Sequence, residues 1–313
     1  MRVMVTGASG YVGRRLLPSL ARAGHDAVGI DREVEISDAT ALAAQLAAIR
    51  PDAVIHLAAL SSVAHSLRAP EDCYRVNFLG TRALLTSVAA KAPAARVLLV
   101  GSADAYTATS PQSEPLSEST PLRPRSPYAR SKAAAELLGR LAAGRGLDVV
   151  CIRAFNHTGA GQSDQFVVSS FARQIAAIAS GRQAPCLRVG NLDSVRDFLH
   201  VDDVVDAYLG LLDRRVPADV YQVAGSVGIS IRSVLADLIR IAGVAPRIEL
   251  DPARFRPTDW LVGDATRLRR ATGWQPRIAL DTLLREVYED WLVRDAASTD
   301  RPPGQSGSMR SSA

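Results

Sequence analysis

Short apolar runs alternate with stretches of helical periodicity through the first half of the chain. Val3–Thr6, Ala27–Ile30, Ala53–Leu57, Arg96–Val100 and Asp148–Ile152 have the length and β-branched content of buried strands. The intervening patterns predict helices near Tyr11–Ala23, Thr40–Ile49, Cys73–Ala90 and Tyr128–Ala143. Strands that are apolar on both faces and separated by helices build a doubly wound parallel α/β sheet. Such a sheet takes its ligands at the carboxyl ends of its strands.

After about residue 155 the rhythm loosens. Helical patterns recur over Phe166–Ser180 and Ser230–Ala242, the stretches Gly181–Arg196 and Asp251–Asp264 read as loops, and a last amphipathic helix occupies about Leu280–Val293. The expected organisation is a first domain over 1–154 with a return near 197–225, a smaller lobe over 155–295, and a disordered Ser-, Gly- and Pro-rich tail over 296–313.

Composition narrows the function classes. At 47% hydrophobic and 22% charged over 313 residues, the chain is an ordinary globular protein. Its formal charge is +5, yet the basic residues are scattered and aromatics are only 5%, which argues against nucleic-acid binding. Of 37 basic residues only Lys91 and Lys132 are lysines. Cys73, Cys151 and Cys186 are odd in number and widely spaced, so neither a disulfide framework nor a metal site is expected. The chain opens on a strand with no charged leader, and no apolar stretch is long enough to span a bilayer. A cytoplasmic protein is the expectation.

Between the first strand and first helix, Thr6-Gly-Ala-Ser-Gly-Tyr-Val-Gly13 places Gly7, Gly10 and Gly13 where a dinucleotide fold needs them. Gly7 serves the tight turn, Gly10 lets a diphosphate approach the backbone, and Gly13 lets the helix pack closely on the sheet. Asp31 ends the second strand, where a carboxylate holds a ribose 2′-hydroxyl; Arg32 next to it suits a 2′-phosphate. The pair leaves NAD and NADP both open, with the carboxylate favouring NAD.

Tyr128-Ala-Arg-Ser-Lys132 puts a phenol and an ammonium four residues apart on one helix face. The ammonium is expected to lower the tyrosine pKa, making Tyr128 an acid/base for a carbonyl/alcohol pair. Ser102, just after the Arg96–Val100 strand, can donate a hydrogen bond to the same substrate oxygen. Together the three read as a hydride-transfer site.

These motifs, with Asp52-Ala-Val-Ile-His-Leu-Ala-Ala59, resemble the extended short-chain dehydrogenase/reductase superfamily and its Rossmann-type doubly wound sheet with a smaller C-terminal substrate-binding lobe. Arg153–Gln162, Phe166–Ile175, Val189–Phe198 and Arg256–Asp259 are similar to its GDP-mannose branch, which holds GDP-mannose 4,6-dehydratases and GDP-4-keto-6-deoxy-D-mannose reductases. The resemblance covers about residues 1–293. It implies a nicotinamide cofactor, NAD(P)H, touched by the Gly7–Gly13 turn including Tyr11 and Val12, by Asp31 and Arg32, by Glu35 and Ile36 near adenine, by Leu57, Ala58 and Ala59, and by Tyr128, Lys132 and His157. It implies a GDP-sugar substrate held by Ser102, Asn156, Val168, Gly190, Asn191, Arg196, Arg256 and Asp259. It also implies a homodimer, and no nucleic-acid or membrane partner.

Within that branch, Gly101-Ser-Ala-Asp-Ala-Tyr106 discriminates. Dehydratases carry Thr-Ser-Glu or Thr-Asp-Glu there, because glutamate takes part in eliminating water. Ser102 and the shorter Asp104 look like the reductase pattern, with Asp104 a fourth candidate catalytic residue. The expected reaction is hydride delivery to a 4-keto carbon with Tyr128 as proton donor, giving GDP-D-rhamnose. A dehydratase, a related 4-reductase or 4-epimerase of other stereochemistry, and a catalytically silent dinucleotide sensor are the alternatives.

Overall fold

The computed structural model describes residues 1–107, 114–254 and 260–299. The elements follow in chain order. The first are β1 (Arg2–Thr6), α1 (Gly13–Arg22), β2 (Asp26–Ile30), α2 (Ala39–Ile49), β3 (Ala53–His56), α3 (Val63–Arg68), α4 (Pro70–Tyr74) and α5 (Gly80–Lys91). Next come β4 (Arg96–Val100), α6 (Pro127–Ala143), β5 (Val149–Ala154), β6 (Asn156–Thr158), α7 (Val167–Ala179), β7 (Cys186–Val189), β8 (Val195–His200), α8 (Val201–Leu211), β9 (Val220–Val223) and β10 (Gly228–Ser230). The chain continues through α9 (Ile231–Ala242), β11 (Arg247–Leu250), β12 (Trp260–Leu261), α10 (Thr266–Thr272) and α11 (Leu280–Thr299).

They fall into two units. The first comprises Met1–His157, Asp193–Ser230 and Pro257–Leu280; the second comprises Thr158–Leu192, Ile231–Arg256 and Asp281–Ala313.

The core of the first unit is a six-stranded sheet in the order β2-β1-β3-β4-β5-β9, with every pairing parallel. Successive side chains of a strand face opposite ways, and each run supplies two cores. Val3, Val5, Ile55, Leu98, Val150 and Ile152 pack with Leu16 and Leu20 of α1 and Val204, Tyr208 and Leu211 of α8. Met4, Val54, Val97, Leu99, Val149 and Cys151 pack with Leu42 and Leu46 of α2 and Leu84 and Val88 of α5. Helices therefore cover both faces, which is the doubly wound Rossmann architecture.

Several predicted boundaries are corrected. The Cys73–Ala90 helix is three pieces: α4, a π-helical turn over Arg75–Leu79, and α5. The stretch read as loop over Gly181–Arg196 contains β7 and the start of β8. Strand β8 hides because its sequence, Val-Arg-Asp-Phe-Leu-His, puts a charge in the interior. Asp197 is fully buried and accepts the amides of Gly225 (2.7 Å) and Ser226 (2.9 Å), so backbone donors take the place of an apolar partner. Helix α11 runs on to Thr299, past the expected end at Val293, because Asp295-Ala-Ala carries no helix breaker. The disordered tail expected over 296–313 is thereby corrected over 296–299, which are helical, and its remainder lies outside the described residues.

In the second unit, α7 packs on α9, and β7 pairs in parallel with β11. The turn after β6 is held by α11: Asp290 accepts the Gly161 amide at 2.9 Å and Glu286 the Ala160 amide at 3.1 Å.

Candidate active site

The turn after β1 is shaped by backbone contacts. Gly7 has φ +70°, and a Cβ there would lie 2.8 Å from the Ala58 amide nitrogen. A Cβ on Gly13 would meet the carbonyl oxygens of Gly7 and Ala8, so the third glycine fits the helix to the loop itself, where the sequence pointed to the sheet. The first residues of α1 have no side-chain cap. A helix start of this kind, with a bare turn before it, offers backbone donors to an anion. Tyr11 and Val12 line this turn, both partly buried.

Asp31 closes β2 with its carboxylate turned onto the loop: Oδ2 accepts the Ser9 amide at 2.5 Å and Oδ1 the Arg32 amide at 2.9 Å. The side chain of Arg32 is exposed. Glu35 is exposed and pairs with Arg75 at 3.0 Å, while Ile36 is buried. At the end of β3 the Leu57 and Ala58 amides bond to Thr6, and Ala59 follows, partly buried.

Helix α6 begins on a cap from Ser126, whose hydroxyl accepts the Ala129 amide at 3.0 Å, with Pro127 at the first helical position. Its buried stripe runs Tyr128, Ser131, Lys132, Ala135, Glu136 and Gly139. Tyr128 and Lys132 therefore share the face turned inward. Lys132 Nζ donates to the Val100 carbonyl at 2.8 Å, at the end of β4. Two residues further on, Ser102 bonds to the Tyr128 phenol, and the Ser102 hydroxyl accepts the Asp104 amide at 3.2 Å. Ser102, Asp104, Tyr128 and Lys132 thus meet at the carboxyl edge of the sheet.

Their electrostatics correct one expectation. Tyr128 is pushed up from the ordinary tyrosine value, chiefly by burial and then by the charge of Asp104, with the Ser102 hydrogen bond opposing. Burial, not the ammonium, sets the direction, and the Lys132 ammonium donates to the Val100 carbonyl. Lys132 is itself lowered to about 8 by burial, with Cys73 opposing. The phenol is therefore a held proton.

A buried polar network behind this pair escaped the sequence reading. His56 bridges Thr6 Oγ1 (2.7 Å) and Thr81 Oγ1 (3.1 Å), and burial, then the Lys132 charge, lowers it to about 3, so it stays neutral. Asn77, in the π turn, accepts the Leu60 amide at 2.8 Å and donates to Leu60 O at 3.1 Å and Ser131 Oγ at 2.9 Å. Ser131 donates on to the Tyr128 carbonyl at 2.8 Å. A π turn often marks a functional site. Its sequence, Arg-Val-Asn-Phe-Leu, reads as ordinary helix; the one available signal is a polar Asn on an otherwise apolar face.

Elsewhere in the first unit, Asn156 is exposed on β6, and His157 Nδ1 donates to the Phe155 carbonyl at 2.9 Å. Burial lowers His157, keeping it neutral. Arg196 lies partly buried on β8, with Nη1 donating to its neighbour's carbonyl at 2.9 Å. In the second unit, Val168 is buried in α7, Gly190 has no room for a Cβ against the Arg254 carbonyl, and Asn191 follows it. Arg256 and Asp259 lie outside the described residues.

A doubly wound sheet with a glycine turn after its first strand and a Ser/Tyr/Lys cluster at its carboxyl edge defines a short-chain dehydrogenase/reductase-type α/β protein. More narrowly, the chain belongs to the family described as GDP-mannose 4,6 dehydratase, whose profile matches residues 32–287. It is 38% identical over 299 residues to the GDP-6-deoxy-D-mannose reductase of Pseudomonas aeruginosa, covering 94% of this chain and 98% of that protein. It is 32% identical to GDP-mannose 4,6 dehydratase 1 of Arabidopsis thaliana, over 82% of this chain and 73% of that one. The solved structure of the Pseudomonas aeruginosa protein RMD complexed with NADPH superposes with a TM-score of 0.86 at 38% identity, over 94% and 99% of the two chains.

Proposed function

We propose that this protein is an NAD(P)H-dependent oxidoreductase that reduces the 4-keto group of GDP-4-keto-6-deoxy-D-mannose to give GDP-D-rhamnose. The observation that carries the reading is the Ser102, Asp104, Tyr128 and Lys132 cluster at the carboxyl edge of the sheet, with the shorter acid in Ser102-Ala-Asp. A reduction needs a proton donor that arrives protonated, and burial together with Asp104 keeps Tyr128 so. The near full-length likeness to a GDP-6-deoxy-D-mannose reductase supports the same substrate.

The Gly7–Gly13 turn and the uncapped start of α1 suit the cofactor's diphosphate, since Gly7 and Gly13 let the turn fold tightly on its own backbone and the helix start carries no side-chain cap on its amides. Bound NAD(P)H supplies the hydride. Ser102 orients the substrate carbonyl, and Tyr128 gives its proton to the oxygen as negative charge develops there. Lys132, charged below about pH 8, stabilises the phenolate left behind and holds the nicotinamide ribose. Asp31 and Arg32 face the adenosine ribose, with Glu35, Ile36 and the Leu57–Ala59 segment beside the base, and Tyr11, Val12 and His157 along the cofactor. Asn156, Val168, Gly190, Asn191, Arg196, Arg256 and Asp259 hold the sugar nucleotide. The guanidinium forks of Arg196 and Arg256 match diphosphate oxygens.

The domain assignment follows the same reading: residues 1–154, with the return near 197–225, bind the dinucleotide, and 155–295 bind the sugar nucleotide. The protein works in the cytoplasm as a homodimer. Among the described residues no helix is long and apolar enough to cross a membrane.

Purified protein given GDP-4-keto-6-deoxymannose with NADH or NADPH should oxidise the nucleotide, followed by absorbance, and proton NMR should show the rhamno product. Conversion of GDP-mannose without added reductant would instead establish a dehydratase. A talo product would establish the opposite stereochemistry at carbon 4.

A further inference from the structure

Four residues beyond Lys132 on the same face of α6, a second charge is buried where the reaction described above has no use for it. Glu136 is 5% exposed, and Arg153 of β5, 3% exposed, forks onto it with Nε to Oε2 at 2.8 Å and Nη2 to Oε1 at 2.6 Å. The remaining guanidinium nitrogen, Nη1, donates to the Tyr106 hydroxyl and, at 3.0 Å, to the Glu118 carbonyl. The guanidinium also lies over the Tyr106 ring, 4.9 Å from its centroid. The Tyr106 hydroxyl donates to Ser117 O at 2.9 Å and accepts from Gln222 Nε2 at 2.7 Å. Every polar atom of this hydroxyl is engaged.

Tyr106 ends the short turn that begins at Ser102. Within it the Ala105 amide bonds to Ser102 O at 3.2 Å, the Tyr106 amide to Ala103 O at 2.9 Å, and the Asp104 amide to the Ser102 hydroxyl. The turn is thus one hydrogen-bonded body with the reacting hydroxyl at one end and the anchored ring at the other. Helix α6 matches it, with Tyr128 at one end of a face and Glu136 two turns along. The bodies meet twice: at Ser102–Tyr128, and at Tyr106–Arg153–Glu136.

We propose that the Tyr106–Arg153–Glu136 cluster is a positioning clamp that fixes the Ser102 turn against α6 and so sets the approach of the Ser102 hydroxyl to the Tyr128 phenol. None of the three touches reacting atoms; they act through Ser102. A buried ion pair is a poor source of net stability compared with apolar packing. Its worth here is geometric, since a bidentate fork with a third donor admits one arrangement of three partners. The kinetic consequence rests on the reductase reading, but the holding of the turn is independent of which substrate is reduced.

The test is Tyr106→Phe, which removes one hydroxyl and keeps the ring. Hydrogen exchange, followed by mass spectrometry on the peptide spanning 101–107, should speed up about tenfold at the Ala105 and Tyr106 amides, whatever the enzyme turns over. The kcat for the keto-sugar should fall between about tenfold and a hundredfold, the scale of an ångström-sized misplacement, with both KM values within about threefold. The double variant with Ser102→Ala should be no slower than Ser102→Ala alone, because both changes remove the same function. If Tyr106→Phe does not fold, Arg153→Lys, which keeps the charge on Glu136 but cannot also span Tyr106, should give the same three results. Unchanged exchange overturns the clamp even if the wild-type enzyme is inactive on this substrate. An active wild type with additive losses in the double variant reduces the cluster to a structural role.

Discussion

Asp104 lies close enough to Tyr128 for its charge to raise the phenol above the value burial alone would give. Its reach is fixed locally, because the Asp104 amide is bonded to the Ser102 hydroxyl that also touches that phenol. One added methylene moves the carboxylate by roughly an ångström, which can cost about a hundredfold. Asp104→Glu should therefore lower kcat for the keto-sugar by about that factor and leave the KM for nucleotide unchanged, as steady-state assays will read. A variant as fast as wild type would remove Asp104 from the site.

The pH profile follows from Lys132. Its pKa in the fold is lowered to about 8 from 10.5, so the ammonium that supports a developing phenolate is present below about pH 8 and lost above it. Tyr128 stays protonated throughout, and His56, lowered to about 3, stays neutral. The kcat should be flat on the acid side of 8 and decline above it, with no second limb from these groups. A rate that rises through pH 8 would contradict the assignment.

The same shift carries a stability consequence. A lysine whose folded pKa is lowered is penalised while charged, so its cost is present below about pH 8 and disappears as pH rises toward the unfolded value. Lys132→Met should abolish turnover, yet at pH 7 melt no lower than wild type and up to a few degrees higher, the scale of a kcal/mol or so in a domain of this size. The lost bond to Val100 O offsets part of the gain. The gain should shrink when the melts are repeated at pH 9. Loss of several degrees at pH 7 would mean that Lys132 holds the fold together.

How much of this was legible in the sequence varies with the physics involved. The unbroken apolar runs Val3-Met-Val and Val97-Leu-Leu are enough to predict strands covered on both faces, because these strands meet only apolar neighbours. The Tyr128/Lys132 face follows from helical spacing alone. Asp197 and the strand around it were hidden, since a buried charge satisfied by backbone amides has no signature in a hydrophobicity pattern. Asn77 was hidden because a π turn and an α turn have the same composition. The direction of the Tyr128 shift is hidden for a related reason: spacing shows which charges are near, while burial depends on everything packed around them.

Helix α6 carries two exposed leucines, Leu137 at 57% and Leu141 at 51%, four residues apart and off the stripe that faces the sheet. Apolar residues at that spacing on a surface helix suit the same face of a second copy, the isologous contact of a two-fold dimer. Sedimentation velocity of the wild type should give a dimer. Leu137→Glu with Leu141→Glu should give a monomer that keeps the wild-type circular dichroism. A wild-type monomer, or a double variant that remains dimeric, would move the interface elsewhere or abolish it.

The choice of nucleotide turns on Arg32. From sequence, Asp31 argued for NADH by repelling a 2′-phosphate. In the fold its carboxylate accepts both the Ser9 and Arg32 amides, which hold it below its ordinary pKa and spread its charge into the loop. The guanidinium next to it is exposed, and in the proposed cofactor site it would be the dominant group for whatever stands at the ribose 2′ position. A charge-assisted bond to a phosphate contributes about 1.5–3 kcal/mol, or roughly tenfold to a hundredfold in affinity. Arg32→Ala should raise the Kd for NADPH by that range and leave the Kd for NADH within about twofold, both measured by quenching of intrinsic fluorescence without any sugar nucleotide present. Equal losses for the two nucleotides would place Arg32 on the diphosphate or adenine. No loss for either would return the preference to Asp31, and with it to NADH.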